Sequence, residues 1–113
     1  AAQSNLKLIV IDYTKAPEAT IAEAVSESLR VYKACVEENP DGGPLFYAGD
    51  SAGGHLAIST LLAAKKENLP MAHGLVCLSP WTDLTCPVEG RLNRHWDPLI
   101  PYDALKAAFS RAK

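Results

Sequence analysis

The sequence has no stretch that could cross a membrane as a helix. Its longest strongly apolar run, Leu8–Ile11, is far short of the roughly 20 residues that a spanning helix needs. An excess of basic residues is also absent. The 11 lysines and arginines are scattered among 13 aspartates and glutamates, and the net charge of -2 leaves no stripe that could neutralise phosphates. Nucleic acid is therefore not an expected partner. Cysteine is scarce: Cys35, Cys77 and Cys86 form an odd set with no C-x-x-C spacing, which excludes a disulfide framework and a zinc site of the usual kind. Unpaired thiols point to a reducing, cytoplasmic setting. The opening "AAQSN" has neither a methionine nor the charged-then-apolar pattern of a secretory signal, so the N-terminus reads as a cut. There is no internal repeat, no low-complexity segment, no G-x-G-x-x-G after a strand and no G-K-[ST], so the usual phosphate-loop signatures are missing too.

What is present is the composition of a single ordinary globular domain. Of the 113 residues, 48% are hydrophobic and 21% charged, enough for one core and no more. "LKLIVIDY" (Leu6 to Tyr13) is short, apolar and β-branched, as expected of a strand buried on both faces of a parallel sheet. Pro17 interrupts the pattern, and Thr20-Ile21-Ala22-Glu23 has the form in which two side chains satisfy each other's backbone donors at a helix start. From there Ile21, Val25, Leu29, Tyr32 and Val36 recur on one helical face. Glu23, Glu27, Arg30, Lys33 and Glu37 lie on the other.

Asn39 to Pro44 stop this helix and turn the chain, and "LFYA" (Leu45 to Ala48) predicts a second strand. A helix follows Ser51, apolar nearly all round until Lys65, Lys66 and Glu67. "HGLVCLSPW" (His73 to Trp81) predicts a third strand, followed by an irregular stretch from Pro80 to Pro101 and a short amphipathic helix from about Tyr102 to Ala112. Short apolar strands alternating with helices describe an α/β fold with three parallel strands, βαβαβ plus a C-terminal helix.

Gly49-Asp50-Ser51-Ala52-Gly53 fits G-x-S-x-G, whose confirming context is strand, sharp turn, helix. Such a turn holds the serine in a strained backbone region with its hydroxyl exposed. Gly49 and Gly53 are expected to provide the clearance, with Asp50 and Gly54 supporting the turn. The helix behind Ser51 aims free N–H groups at the site, placing the Ala52 N–H to bind the oxyanion of an acyl-transfer intermediate.

Three segments in order, "VIDYTKAPE" (Val10 to Glu18), "AGDSAGGHLA" (Ala48 to Ala57) and "LSPWTDLT" (Leu78 to Thr85), make the chain resemble the hormone-sensitive-lipase group of α/β-hydrolases. The similarity covers nearly the whole chain and weakens after Cys86. It implies that residues 1–113 are a single partial α/β-hydrolase domain, the central segment of a serine carboxylesterase acting on small or medium acyl esters without a cofactor or metal, and that Ser51 matches the nucleophile. The sequence departs from the family in three ways. "DYTKAPE" stands where D-Y-R-L-A-P-E is more usual, "ATIAEA" replaces the proline-rich continuation, and no H-G-G-G segment precedes the D-Y motif.

In this fold the triad runs Ser, then Asp or Glu, then His, and the resemblance places the acid and histidine beyond these residues. His55, one helical turn after Ser51, reads as a packing or surface residue, and neither His73 nor His95 is a convincing base. Asp97, in "DPLI", matches a loop ahead of the family's acid and is not assigned that role. Asp83 reads as a turn residue. The family also has a strand between the D-Y strand and the nucleophile strand. Its absence predicts an empty sheet position to be filled by the rest of the hydrolase or by another polypeptide. The isolated chain is accordingly expected to be inactive. The alternatives are a non-catalytic α/β-hydrolase-like assembly subunit and, more remotely, a nucleotide-binding βαβ unit.

Overall fold

The computed structural model describes residues 6–84 together with residues 103, 104 and 107. Its regular elements are α1 (Ile21–Glu37), β1 (Phe46–Asp50), α2 (Ala52–Lys66) and β2 (Gly74–Leu78). Asp103, Ala104 and Ala107 of the expected C-terminal helix are helical. The rest of that helix, and the irregular stretch from residue 85 onward with Cys86, His95 and Asp97, lie outside the described residues.

Helix α1 starts where its sequence says it should. Thr20 accepts from the Glu23 amide at 3.3 Å while the Glu23 carboxylate accepts from the Thr20 amide at 2.7 Å, so two donors left over at the helix end are satisfied reciprocally. The Thr20 amide and hydroxyl hold the Glu23 carboxyl below the usual carboxylate range. The helix ends against Asn39, whose side chain donates to Gly43 O at 2.8 Å and accepts from Gly43 N at 3.1 Å. Between them Gly42 takes φ 69°, which glycine adopts without steric cost.

β1 and β2 pair in parallel, from Phe46 opposite Gly74 to Asp50 opposite Leu78, with α2 as the crossover between them. Side chains alternate across this pair. Tyr47 and Gly49 face the helices. The Tyr47 ring meets Tyr32 edge-on at 5.8 Å, and its hydroxyl pairs with that of Ser28 at 2.5 Å. Tyr32, only 1% exposed, also donates to Pro70 O at 2.8 Å. With Leu29, Leu61 and Ala64 it forms the core between α1 and α2. The inward face of α1 therefore runs through Ala24 and Ser28 as well as Leu29 and Tyr32, while Ile21, Val25 and Val36 are half-buried at its margins. The opposite face of the strand pair is bare: Phe46, Val76 and Leu78 are all more than half exposed.

The expected first strand is a correction. Residues 6–13 form no ladder with any described strand. Leu8 is 70% and Val10 81% exposed, although their sequence is that of a buried strand. The segment runs beside the sheet: a cleft of about 370 Å³ is lined by Lys7–Ile11 on one hand and Leu45–Ala48 on the other, together with Tyr32, Cys35, Leu56 and Ala57. A strand forms only when a neighbour takes its backbone donors and acceptors, and residues 6–13 have no such neighbour among the described residues. Side-chain contacts hold the segment instead. The Glu27 carboxylate accepts from the Thr14 amide at 2.8 Å and hydroxyl at 3.0 Å, and Lys7 pairs with Glu38 at 2.9 Å.

Glu27 is held below its ordinary carboxylate range by the two Thr14 donors. A depressed folded-state pKa means that this tether is complete above the unfolded glutamate value and is lost as pH falls through the lower, folded one. Glu27→Ala should therefore reduce amide-exchange protection at Thr14 at neutral pH, and acidification of the unaltered protein should reproduce that loss. Unchanged protection in the variant would show that the segment is held by something else.

Candidate active site

β1 delivers the chain into a turn at Ser51, and α2 begins with the next residue. Ser51 adopts φ 53°, ψ -115°, a sparsely populated region for a residue with a side chain that costs on the order of 1–3 kcal/mol. Backbone bonds on both sides enforce it. The Ser51 amide donates to Leu78 O at 2.9 Å, continuing the pairing with β2 by one residue. Its carbonyl accepts from Gly54, His55 and Trp81 at 3.1, 3.2 and 3.0 Å. The turn is thereby tied to its own helix, to the end of the neighbouring strand and to the loop after it. Ser51 and Ala52 are both exposed. The side chain of Ser51 does not cap α2, so the first N–H groups of the helix are not consumed by it.

The glycines around the serine have different roles. A Cβ on Gly49 would run into the backbone carbonyl of Gly53, and one on Gly54 would stand 2.8 Å from Pro80 Cβ. Strand, helix and the loop after β2 come together at these two positions, and only hydrogen fits. Gly53 differs from the expectation: a Cβ there would meet nothing within 4 Å. Its contribution to the close approach is its carbonyl, packed against Gly49, and the space over its α-carbon opens toward the cleft beside β1. Asp50 ends β1 on the bare face and is exposed.

The ring of neither described histidine is bonded to the Ser51 hydroxyl. The Nε2 of His55 pairs with Ser59 Oγ at 3.2 Å, one turn further along α2. His73 Nδ1 accepts from the Leu45 amide at 3.1 Å at the opposite end of β1. At about 3.3 Å per residue that is roughly 20 Å from Ser51. Asp83 follows β2 and is exposed. Among the described residues, no group of three or more His, Cys, Asp or Glu side chains could hold a metal ion, and no helix is long and apolar enough to cross a membrane. Cys35 and Cys77 are free thiols.

A strand-to-helix turn bearing an exposed, strained serine and closed by two obligatory glycines is the setting in which α/β hydrolases present a nucleophile. Comparison with known proteins agrees with that class: the chain belongs to the alpha/beta hydrolase fold family, whose sequence profile matches residues 1–112. It is 33% identical over 108 residues to an esterase of Acinetobacter venetianus, covering 95% of this chain and 36% of the relative. It is 34% identical over 79 residues to an acetyl-hydrolase of Streptomyces hygroscopicus, covering 70% and 26%. To hormone-sensitive lipase of Homo sapiens it is 32% identical over 115 residues, covering 97% and 11%. The resemblance to the hormone-sensitive-lipase group thus holds over this segment, and the chain spans about a third or less of the length of these relatives.

The two glycine positions can be separated by experiment. Gly49→Ala forces backbone against backbone and should destabilise the domain by about 2–3 kcal/mol, in the range of overpacked interiors. Gly53→Ala adds a methyl group to open space inside a helix and should be neutral, or stabilising by up to about 1 kcal/mol. Equal losses for both in urea denaturation would show that the junction is not closed at Gly49.

Proposed function

We propose that these residues are the nucleophile-bearing segment of a serine carboxylesterase that cleaves small or medium acyl esters. The observation that carries this reading is the conformation of Ser51: exposed, at positive φ, at the N-terminus of a helix whose first N–H groups it does not cap. The names of the relatives, esterase, acetyl-hydrolase and lipase, support an ester as the bond broken.

In the proposed reaction Ser51 Oγ attacks the ester carbonyl while a histidine takes its proton. The carbonyl oxygen becomes an oxyanion held by backbone donors that include Ala52 N–H. The tetrahedral intermediate collapses, the C–O bond to the alcohol breaks, and the histidine returns the proton to the departing alkoxide. Water, deprotonated by the same histidine, then attacks the acyl-enzyme and releases the acid together with Ser51. Gly49, Asp50, Gly53 and Gly54 support the turn, and no cofactor or metal enters any step. His55 and His73 are both engaged elsewhere, so the base and its acid are assigned to the remainder of the hydrolase. The cleft beside β1 favours the same partnership, since a strand placed there would find edge donors and acceptors on Phe46–Asp50. The free thiols fit a cytoplasmic setting.

The cleft and the bare sheet face also favour the second reading, an α/β-hydrolase-like assembly subunit without catalysis. Treatment of the native material with a serine-directed fluorophosphonate, followed by intact mass measurement, separates the two. The esterase reading expects the label on Ser51 of a complete hydrolase, and a fall of about six powers of ten in turnover for Ser51→Ala, as for loss of the nucleophile in other serine hydrolases. Residues 1–113 alone should show no useful turnover. A complete, folded protein that leaves Ser51 unlabelled, or that keeps its rate as Ser51→Ala, would move the assembly subunit ahead.

A further inference from the structure

β1 and β2 stay in register up to Asp50 opposite Leu78, so the next positions in line are Ser51 and Ser79. In a parallel ladder a bonded residue is held twice. Its amide donates to the carbonyl one residue before its partner, and its carbonyl accepts from the amide one residue after that partner. Ser51 makes the first of these bonds, to Leu78 O at 2.9 Å. The second would come from the amide of residue 80, but that residue is a proline and has no N–H. The bond is made one residue late, and the Trp81 amide donates to Ser51 O at 3.0 Å. Two residues, Ser79 and Pro80, thus stand against the single Ser51, as in a β-bulge. The proline keeps Ser79 out of the right-handed helical region, where a bulged residue usually sits, and Ser79 turns at φ 43° instead. Pro80 also seats against the first turn of α2: a Cβ on Gly54 would stand 2.8 Å from Pro80 Cβ and 3.0 Å from its Cα.

Resting on the serine-esterase reading, we infer that Pro80 is a positioning residue for Ser51. By withholding an N–H it ends the regular ladder at Leu78 and hands the Ser51 carbonyl to Trp81. Any other residue at position 80 would offer its amide to the same carbonyl. The ladder would then run on past Ser51 and draw it toward the extended backbone of a strand. That conformation conflicts with the φ 53° at which Ser51 leaves β1 for α2. The serine would be divided between two backbone states, of which one presents its hydroxyl above the first N–H groups of the helix. Pro80 acts through the Ser51 carbonyl and not on the substrate, so its loss should slow acylation of the serine rather than change which esters are accepted.

The test is made on the complete hydrolase carrying Pro80→Ala. Hydrogen exchange should show protection at the new amide of position 80 and faster exchange at the Trp81 amide. The rate of labelling of Ser51 by a fluorophosphonate, and kcat/KM for p-nitrophenyl acetate, should fall together by about ten- to a hundredfold per folded molecule, the cost of a nucleophile misplaced by up to about 1 Å. The ratio of kcat/KM between p-nitrophenyl acetate and p-nitrophenyl butyrate should stay as it was. A second pair of variants decides the matter if Pro80→Ala does not fold. Glycine accepts positive φ and a β-branched residue resists it, so Ser79→Gly should keep at least about ten times the kcat/KM of Ser79→Val, and equal values would overturn the assignment. If protection stays at Trp81 in Pro80→Ala, or moves to position 80 with labelling and turnover unaffected, Pro80 does not position the serine and the esterase reading stands without it. If turnover survives Ser51→Ala, the esterase reading itself fails and the assignment falls with it.

Discussion

The carbonyl and amide of Ser51 are the joint on which this arrangement hangs. One peptide group ends a strand, another starts a helix, and between them they take four backbone hydrogen bonds: from Ser51 N to Leu78 O, and to Ser51 O from Gly54, His55 and Trp81. Each bond alone contributes about 1 kcal/mol net. Together they outweigh the cost of a non-glycine residue at φ 53°, and they do so with backbone atoms only. The side chain of Ser51 makes no cap bond to the helix and stays exposed.

That joint also explains which features of the molecule were legible from its residues. The capping box at Thr20 and Glu23, the extent of α1 and α2 and the turn before β1 are set by contacts within a few residues, and each lies where the pattern indicates. The turn at Ser51 was legible for the same reason, because G-x-S-x-G between a strand and a helix is a local motif. Residues 6–13 were not, since an apolar, β-branched run tells the strength of a strand's preference and nothing about whether a neighbour exists. The tether that does hold them, Glu27 to Thr14, had no signal beyond a glutamate on the polar face of a helix. The roles of Gly53 and Gly54 could not be told apart in sequence either, because the loop that restricts Gly54, through Pro80, is 26 residues away by number and reaches it only through the sheet.

A cavity of about 300 Å³, whose lining includes Ala52, shows a further limit of pattern. Tyr13, Ala19, Ala24, Leu56 and Trp81 come from the first loop, two helices and the segment after β2. None has a spacing that marks it as part of a pocket. Only the parallel pairing of β1 with β2, which brings Trp81 back to Ser51, assembles them. The strained serine and the placement of Trp81 are thus two consequences of one register: shift β2 by a residue and neither Leu78 O nor the Trp81 amide meets Ser51.

The two faces of the sheet divide the work between stability and assembly. On the helix side Tyr47 and Gly49 lock the strand to α1 and α2, through the Ser28 and Tyr32 contacts and the Gly53 carbonyl. On the other side Phe46, Val76 and Leu78 meet solvent. The bonds that fix Ser51 lie within the β1–α2–β2 unit and the loop that follows β2, so the geometry of the turn does not depend on what covers the bare face. In the proposed esterase reaction proton transfer differs: a base would have to reach the hydroxyl from outside this unit, because the described histidine rings are committed to Ser59 and Leu45. On that proposal, a nucleophile positioned by local backbone bonds and activated by a side chain from elsewhere keeps its shape while its activity waits on assembly.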